Sequence, residues 1–95
     1  MKVIVCGAGQ VGFSIARHLA LENNDVTVID QNPELVRRIS DTLDAKGVVG
    51  HASNQEILEQ AGIESADMIL AVTYADEVNM VACQVAHSLF DVPTK

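Results

Sequence analysis

The stretch that decides the fold is Gly7-Ala8-Gly9-Gln10-Val11-Gly12, a GxGxxG pattern near the start of a 95-residue chain. It follows Lys2 to Cys6, a short apolar run that is typical of a buried strand. It also opens a helical pattern over Gln10 to Glu22. The inward stripe of that helix is expected at Val11, Ile15, Ala16, Leu19 and Ala20.

Each glycine of such a loop has a separate task when the loop joins a strand to a helix. Gly7 permits the tight turn, Gly9 lets a pyrophosphate approach the backbone, and Gly12 lets the helix pack closely on the sheet. The free N–H groups and the dipole of the helix then face the phosphates. The pattern therefore predicts a phosphate-binding loop, against the alternative of a glycine-rich packing turn that binds nothing.

Asp30 ends a second apolar strand, DVTVID, and lies 18 residues after Gly12. An acid about 20 residues beyond the glycine loop binds the ribose hydroxyls in dinucleotide sites. Its carboxylate would repel a 2′-phosphate, and the adjacent Gln31 supplies no cation, so NADP is disfavoured. A free 2′-hydroxyl is equally compatible with NAD, ATP, ADP and S-adenosylmethionine. The alternative for Asp30 is an acid that caps a helix or holds a loop.

The rest of the chain continues the alternation of strands and helices. Further strands are expected at Lys46 to Gly50 and Met68 to Val72. A second helix should begin at Pro33 with Asn32 as its cap, and a third should run from Asn54 to Ala61 and end at Gly62. A last helix is expected from about Ala75 to Phe90. Short connections throughout predict an α/β, Rossmann-like, doubly wound parallel sheet of order 3-2-1-4. A fifth strand should follow Lys95, so residues 1–95 are expected to be one domain of a longer protein, truncated before that strand.

The composition narrows the classes of function. A hydrophobic content of 48% with 20% charged residues indicates a folded domain. The formal net charge of −7 argues against nucleic acid or an anionic membrane surface as a partner. There is no targeting signal or bilayer-length apolar run, and Cys6 and Cys83 form no CxxC pair. We therefore expect a cytoplasmic protein whose cysteines are small buried apolar residues.

The carboxyl ends of the later strands add further candidates, because ligands of parallel sheets bind at that edge. They are His51, Ala52, Ser53, Val72 and Thr73. For His51 a ligand contact and a simple loop role are equally open; a catalytic role has less support, because no nucleophile or carboxylate partner is evident nearby. The last helix is apolar nearly all round, which favours association into a dimer.

Four segments together resemble the N-terminal nucleotide-binding domains of the RCK, or KTN, family (TrkA-N domains), which regulate potassium conductance. They are MKVIVCGAGQVG from residue 1, VTVID at 26–30, GVVGHAS at 47–53 and ADMILAVTYADEVNMVACQVAHSLF at 66–90. The glycine loop is shared with dehydrogenases, whereas the last segment is much more specific. Related domains often have Gly-Asp where this chain has Gly50-His51.

The resemblance implies a regulatory domain with no catalytic residues and no bound metal. It implies binding of NAD(H) first, or of ATP or ADP, through the loop from Gly7 to Gly12 and Asp30. It also implies a homo-oligomer, a dimer that forms a ring in the full-length protein. This oligomer would control an integral-membrane potassium transporter from the cytoplasmic side of the inner membrane. Two alternatives stay open: the cofactor-binding half of an NAD-dependent dehydrogenase, and a nucleotide sensor attached to a cation antiporter.

Overall fold

The computed structural model describes residues 1–72. The elements in chain order are β1 (Lys2–Cys6), α1 (Gln10–Leu21), β2 (Asp25–Asp30), α2 (Pro33–Thr42), β3 (Lys46–Val49), α3 (Gln55–Gln60), a single 3₁₀ turn (Ile63–Ser65) and β4 (Met68–Ala71). The helix expected from about Ala75 to Phe90, which includes Cys83, lies outside the described residues, and so does Thr73.

The four strands form one parallel sheet in the order β3-β2-β1-β4. Lys2 pairs with Asp25, Val3 with Met68, and Thr27 with Lys46. The predicted fold, a Rossmann-like α/β sheet of order 3-2-1-4, is confirmed. Because all strands run in the same direction, their carboxyl ends meet at one edge of the sheet, where ligands of such folds bind.

Both faces of the sheet are covered, and this explains why the strands are continuously apolar. Alternate residues of β1 point to opposite faces. Val3 and Val5 pack in one cluster with residues of α1 and α2, and Ile4 and Cys6 pack in the other with residues of α3. The buried members of the first cluster are Val3, Val5, Ala8, Ala16, Val26, Val28 and Ile39; those of the second are Ile4, Cys6, Ile29, Ala52, Leu58, Ala61, Ile63 and Ile69.

The inward stripe of α1 differs from the expected one at its first position. Val11 was expected to face the core, but its side chain is 61% exposed. The face that meets the sheet begins one residue later, at the buried Gly12, and successive helical residues are rotated by about 100°. The positions at Ile15, Ala16, Leu19 and Ala20 do pack against the core, as predicted.

The sequence analysis predicted that β3 and β4 would each extend one residue further than they do. The strands end at Val49 and Ala71. The ladder pairing nevertheless continues one residue further, because the N–H of Gly50 donates to the carbonyl of Asp30 at 2.9 Å and that of Val72 to the carbonyl of Cys6 at 2.8 Å.

The connection from α3 to β4 contains the one element of the described part of the chain that the sequence did not predict. Gly62 adopts φ +85° after α3, as expected for a residue that ends a helix. The 3₁₀ turn Ile63–Ser65 then follows and buries Ile63 completely. Among residues 1–72, no helix has the length and apolar character needed to cross a bilayer.

Candidate functional site

The glycine loop joins the carboxyl end of β1 to α1, and its glycines determine its shape. Gly7 has φ +118°, a conformation that residues with side chains rarely adopt. Its N–H donates to the carbonyl of Ile29 in β2 at 2.8 Å. A Cβ built on Gly12 would lie 1.8 Å from the carbonyl oxygen of Gly7, so only glycine allows α1 to approach the loop this closely. The first and third glycines therefore make the turn and the close packing that their spacing predicts.

α1 begins without the side-chain cap that the other two α-helices of residues 1–72 possess. Gly9, the residue that precedes it, makes no capping side-chain bond, and the first turn contains no acidic residue. By contrast, Asn32 accepts from the N–H of Glu34 at 2.9 Å and Asn54 from the N–H of Glu56 at 2.8 Å. The first N–H groups of any α-helix lack intrahelical acceptors. Those of α1, together with the helix dipole, therefore suit an anionic ligand.

Asp30 lies at the end of β2 and contacts the glycine loop directly. Its Oδ2 atom accepts a hydrogen bond from the backbone N–H of Ala8 at 2.8 Å. Its Oδ1 atom accepts one from the backbone N–H of Asn32 at 2.9 Å. The side chain thus holds the turn into α2 and the glycine loop in one arrangement. This is the loop-holding role that the sequence left open as the alternative for this acid.

These two bonds leave Asp30 with acceptor capacity. An ionised carboxylate offers about four lone-pair positions, and two are used by Ala8 and Asn32. Asp30 is only half-buried, and a pair of vicinal hydroxyls would need two further acceptor positions of this kind. Structural support of the loop and recognition of a ribose are therefore compatible in this one side chain.

The loop after β3 lies beside Asp30, because the N–H of Gly50 donates to the carbonyl of Asp30 at 2.9 Å. His51 and Ser53 face each other within this loop. The Nδ1 atom of His51 lies 2.5 Å from the hydroxyl oxygen of Ser53 and accepts from its backbone N–H at 3.3 Å. The two residues therefore form a hydrogen-bonded pair at the carboxyl edge of the sheet.

Other candidates take up different positions. The side chains of Ala8 and Ala52 are buried in the two core clusters, so only their backbone groups face the edge. Gln31 is exposed between Asp30 and α2. Val72 is half-buried. One of its methyl carbons would lie 3.5 Å from a Cβ built on Gly12. The end of β4 is therefore beside the glycine loop.

The sequence analysis missed two contacts at this edge. Asn32 was predicted only as a helix cap, yet its backbone N–H also binds Asp30. The contact between Ser53 and His51 was not anticipated either; a serine two residues after a loop histidine is the only signal that pointed to it. Within residues 1–72, no group of three or more His, Cys, Asp or Glu side chains is placed to hold a metal ion.

Comparison with known proteins assigns this arrangement to a family. The family model described as the TrkA-N domain matches residues 3–95. The chain belongs to the TrkA-N domain family. It is 62% identical to the Trk system potassium uptake protein TrkA of Azorhizobium caulinodans and 55% identical to that of Halomonas elongata, in each case over all 95 residues. This TrkA-N domain spans 21% of the length of either relative.

Two solved structures have a similar fold at lower sequence identity. The Kef C-terminal domain of Shewanella denitrificans in its AMP-bound form has a TM-score of 0.84 at 22% identity, over 99% of this chain and 57% of that one. The GsuK channel bound to NAD has a TM-score of 0.83 at 19% identity, over 98% of this chain and 17% of that one. At these identities the likeness establishes the fold.

Proposed function

We propose that this TrkA-N domain binds an adenine nucleotide at the carboxyl edge of its sheet, with NAD(H) as the first ligand and ATP or ADP as the second. The observation that carries the proposal is the hydrogen bond between Asp30 and Ala8 at 2.8 Å. It brings Asp30, the acid that would bind the ribose, next to the uncapped N-terminus of α1. A ribose and its attached phosphates require this pair of groups side by side.

In the proposed site, different protein groups bind different parts of the nucleotide. The N–H groups at the start of α1 hold phosphate oxygens, and Asp30 holds the hydroxyls of the adenosine ribose. The phosphate loop of the proposed site is Gly7, Ala8, Gly9, Gln10, Val11 and Gly12; beyond Asp30 the site continues through Gln31, His51, Ala52, Ser53, Val72 and Thr73. Val72 follows β4, on the side of the glycine loop away from Asp30, so it would contact the nicotinamide half of NAD(H).

The role proposed for this binding is regulatory. Relatives at 62% and 55% identity are named as potassium uptake proteins of the Trk system, and a structural neighbour is a channel with bound NAD. A ligand changes a regulator only by binding two conformations with different affinity. The domain would transmit such a difference, through a homo-oligomeric dimer or ring on the cytoplasmic side of the membrane, to an integral-membrane potassium transporter. Catalysis is not part of this proposal.

Calorimetric titration of the full-length protein with NADH, NAD, ATP and ADP tests the proposal. Saturable binding that Asp30→Ala weakens assigns the ligand to this site, and the order of affinities identifies the nucleotide. Potassium uptake by cells that carry the same variant then connects binding to transport. Equal binding by the native protein and the variant would refute the site, and normal nucleotide response of uptake in the variant would refute the regulatory role.

A further inference from the structure

A polar cavity lies at the amino edge of the sheet, opposite the edge at which we propose that the nucleotide binds. Its volume is about 440 Å³, which is within the range of small-molecule sites. Lys2 at the start of β1 and Lys46 at the start of β3 line it, together with Thr27 of β2 and Gln60 at the end of α3. Among residues 1–72, no Asp or Glu side chain lines it. The cavity is therefore positively charged, although the chain has a net charge of −7.

The pleat of the sheet brings Lys2, Thr27 and Lys46 to the same face. Successive side chains of a strand point to opposite faces, and the residues two positions later all pack in or against the core cluster beneath α3. These later residues are Ile4, Ile29 and Val48. Thr27 is also paired with Lys46 in the ladder between β2 and β3, so their side chains are direct neighbours. Two ammonium groups and a hydroxyl thus lie on one face at the amino edge.

Thr27 is the one buried polar side chain among residues 1–72, with 3% of its surface exposed. Its hydroxyl has no hydrogen-bond partner within those residues. In the same part of the chain, no polar side-chain atom that is closed off from solvent lacks a partner, so the hydroxyl must face the cavity that Thr27 lines. A buried hydroxyl without a partner costs stability. A group bound in the cavity would remove that cost.

The two lysines of the cavity keep most of their N–H donors available. Within residues 1–72, neither Lys2 nor Lys46 forms an ion pair with a carboxylate. Lys2 uses one of its three donors on the hydroxyl of Ser65, at 2.9 Å. Gly62 leaves space for this side chain, because a Cβ on Gly62 would overlap the Lys2 ammonium. The other donors of both lysines can therefore bind an anion.

We propose that this cavity binds a phosphate group, with the ammonium groups of Lys2 and Lys46 around its oxygens and the hydroxyl of Thr27 donating to one of them. Lysine binds phosphate as a point charge, and a phosphate group carries about −1.5 to −2 charges at neutral pH. Two lysines balance that charge. The inference does not rest on the nucleotide binding proposed above, because it uses other residues at the opposite edge of the sheet. Free phosphate and a phosphomonoester present the same group to this site.

Replacing Thr27 by valine tests the buried hydroxyl, because valine keeps the branched shape and removes only the polar atom. We expect the affinity of the full-length protein for inorganic phosphate to fall about tenfold, since a hydrogen bond to a charged group is lost. The ligand-free protein should unfold at the same temperature or a higher one. Thr27→Ser, which keeps the hydroxyl, should retain the affinity. A lower unfolding temperature with unchanged phosphate affinity would assign the hydroxyl to the fold alone and overturn the proposal.

Replacing Lys46 by glutamine tests the charge. We expect phosphate affinity to fall about 3- to 5-fold at low salt and less at high salt, because Lys46 is exposed. Arg17→Gln is the matched control: it removes the same charge from an exposed position of α1, which packs on the other face of the sheet. It should change the affinity by less. Equal losses in the two variants would reduce the effect to net charge and refute the site.

Calorimetric titrations of the full-length protein with inorganic phosphate and with glycerol phosphate compare the two sources of the group. Phosphate held at the N-terminus of α1 would respond to Gln10→Glu and not to Thr27→Val, so the variants distinguish the two edges of the sheet. Binding of either probe that Thr27→Val weakens and Gln10→Glu does not supports the cavity, and the tighter probe identifies the source. If neither probe binds, or both bind the native protein and Thr27→Val equally, the proposal is refuted and the nucleotide site is unaffected.

Discussion

Asp30 and Ala8 are joined by a hydrogen bond of 2.8 Å between a side-chain carboxylate oxygen and a backbone N–H. The acid at the end of β2 therefore supports the glycine loop that follows β1. Any ligand that binds the remaining lone pairs of Asp30 acts on a group that already holds the phosphate loop. In the proposed site, recognition of the ribose and placement of the phosphates would thus be coupled through one side chain, and several measurements can test the consequences.

Replacing Asp30 by alanine should reduce both nucleotide affinity and stability. We expect affinity for NADH to fall about 10- to 100-fold, because hydrogen bonds to a charged group contribute about 1.5 to 3 kcal/mol. The ligand-free protein should lose about 1 to 3 kcal/mol, because the N–H groups of Ala8 and Asn32 lose their acceptor. Calorimetry and urea unfolding measure the two effects. Asp25→Ala, at the exposed start of the same strand, is the control and should change neither quantity appreciably.

Replacing Gly12 by alanine should separate α1 from the loop. The new Cβ would lie 1.8 Å from the carbonyl oxygen of Gly7, so backbone must move. We expect a loss of about 3 kcal/mol in the free energy of unfolding, larger than the gain of about 1 kcal/mol that alanine brings to a helix. Thermal unfolding and NADH titration check this, with Ser14→Ala on the exposed side of α1 as the control. Native stability in Gly12→Ala would contradict the close packing described here.

An acid introduced into the first turn of α1 should have opposite effects on stability and on binding. Gln10→Glu adds negative charge at the positive end of the helix dipole, so the ligand-free protein should gain about 0.3 to 1 kcal/mol. The same charge repels bound phosphates, and NADH affinity should fall about fivefold at low salt and less at high salt. Gln55→Glu, at the first residue of α3, should leave affinity unchanged. Tighter binding by Gln10→Glu would place the phosphates elsewhere.

Asp30 should also discriminate between the two nicotinamide dinucleotides. A 2′-phosphate on the ribose would lie close to the carboxylate, and like charges about 4 Å apart near a protein surface repel by several kcal/mol. We expect NADPH to bind at least about tenfold more weakly than NADH. Asp30→Asn, which removes the charge, should narrow the difference. Competition titrations against NADH measure it, and equal affinities in the native protein would argue against ribose binding at Asp30.

Phe13 of α1 and Arg38 of α2 should stabilise each other. The guanidinium carbon of Arg38 lies 4.0 Å from the centre of the Phe13 ring. A double-mutant cycle with Phe13→Leu and Arg38→Ala should give a coupling of about 0.5 to 1 kcal/mol in urea unfolding. The neighbouring Arg37 forms an exposed ion pair with Glu34. A double-mutant cycle of that pair should give a coupling free energy of about 0.5 kcal/mol or less. Equal couplings would show that the aromatic contact adds nothing.

Most of the fold could be predicted from the sequence because local signals agreed with each other. β2 has the predicted bounds, Asp25–Asp30, since an apolar run ends on an acid at each side. Asn32 caps α2, as its place before Pro33 indicated. Val11 shows where such reasoning fails: helical spacing places it on the inner stripe, yet the contact between Gly12 and Gly7 sets which face of α1 meets the sheet. That contact depends on the loop conformation, which periodicity does not encode.

The sequence could predict which strand ends meet at the carboxyl edge of the sheet, but it could not predict the hydrogen bonds between their loops. GxGxxG and the acid 18 residues later indicate the edge at which we propose that the ligand binds, because each residue type there has a physical task. The hydrogen bonds of Asp30 to Ala8 and Asn32, and the pairing of His51 with Ser53, depend on how three loops meet in space. Sequence spacing within one loop cannot specify such contacts between strand ends.

The uncapped start of α1 has a consequence for the lifetime of the protein in the cell. α2 and α3 supply their own caps from Asn32 and Asn54, whereas α1 has no side-chain cap, and a nucleotide at the proposed site would take that role. A nucleotide that fills it adds stability in proportion to the logarithm of its concentration, about 1.4 kcal/mol for each tenfold excess over the dissociation constant. Susceptibility to proteases would then rise as the nucleotide supply falls. The abundance of the protein would follow the metabolic state of the cell, in addition to any effect on transport.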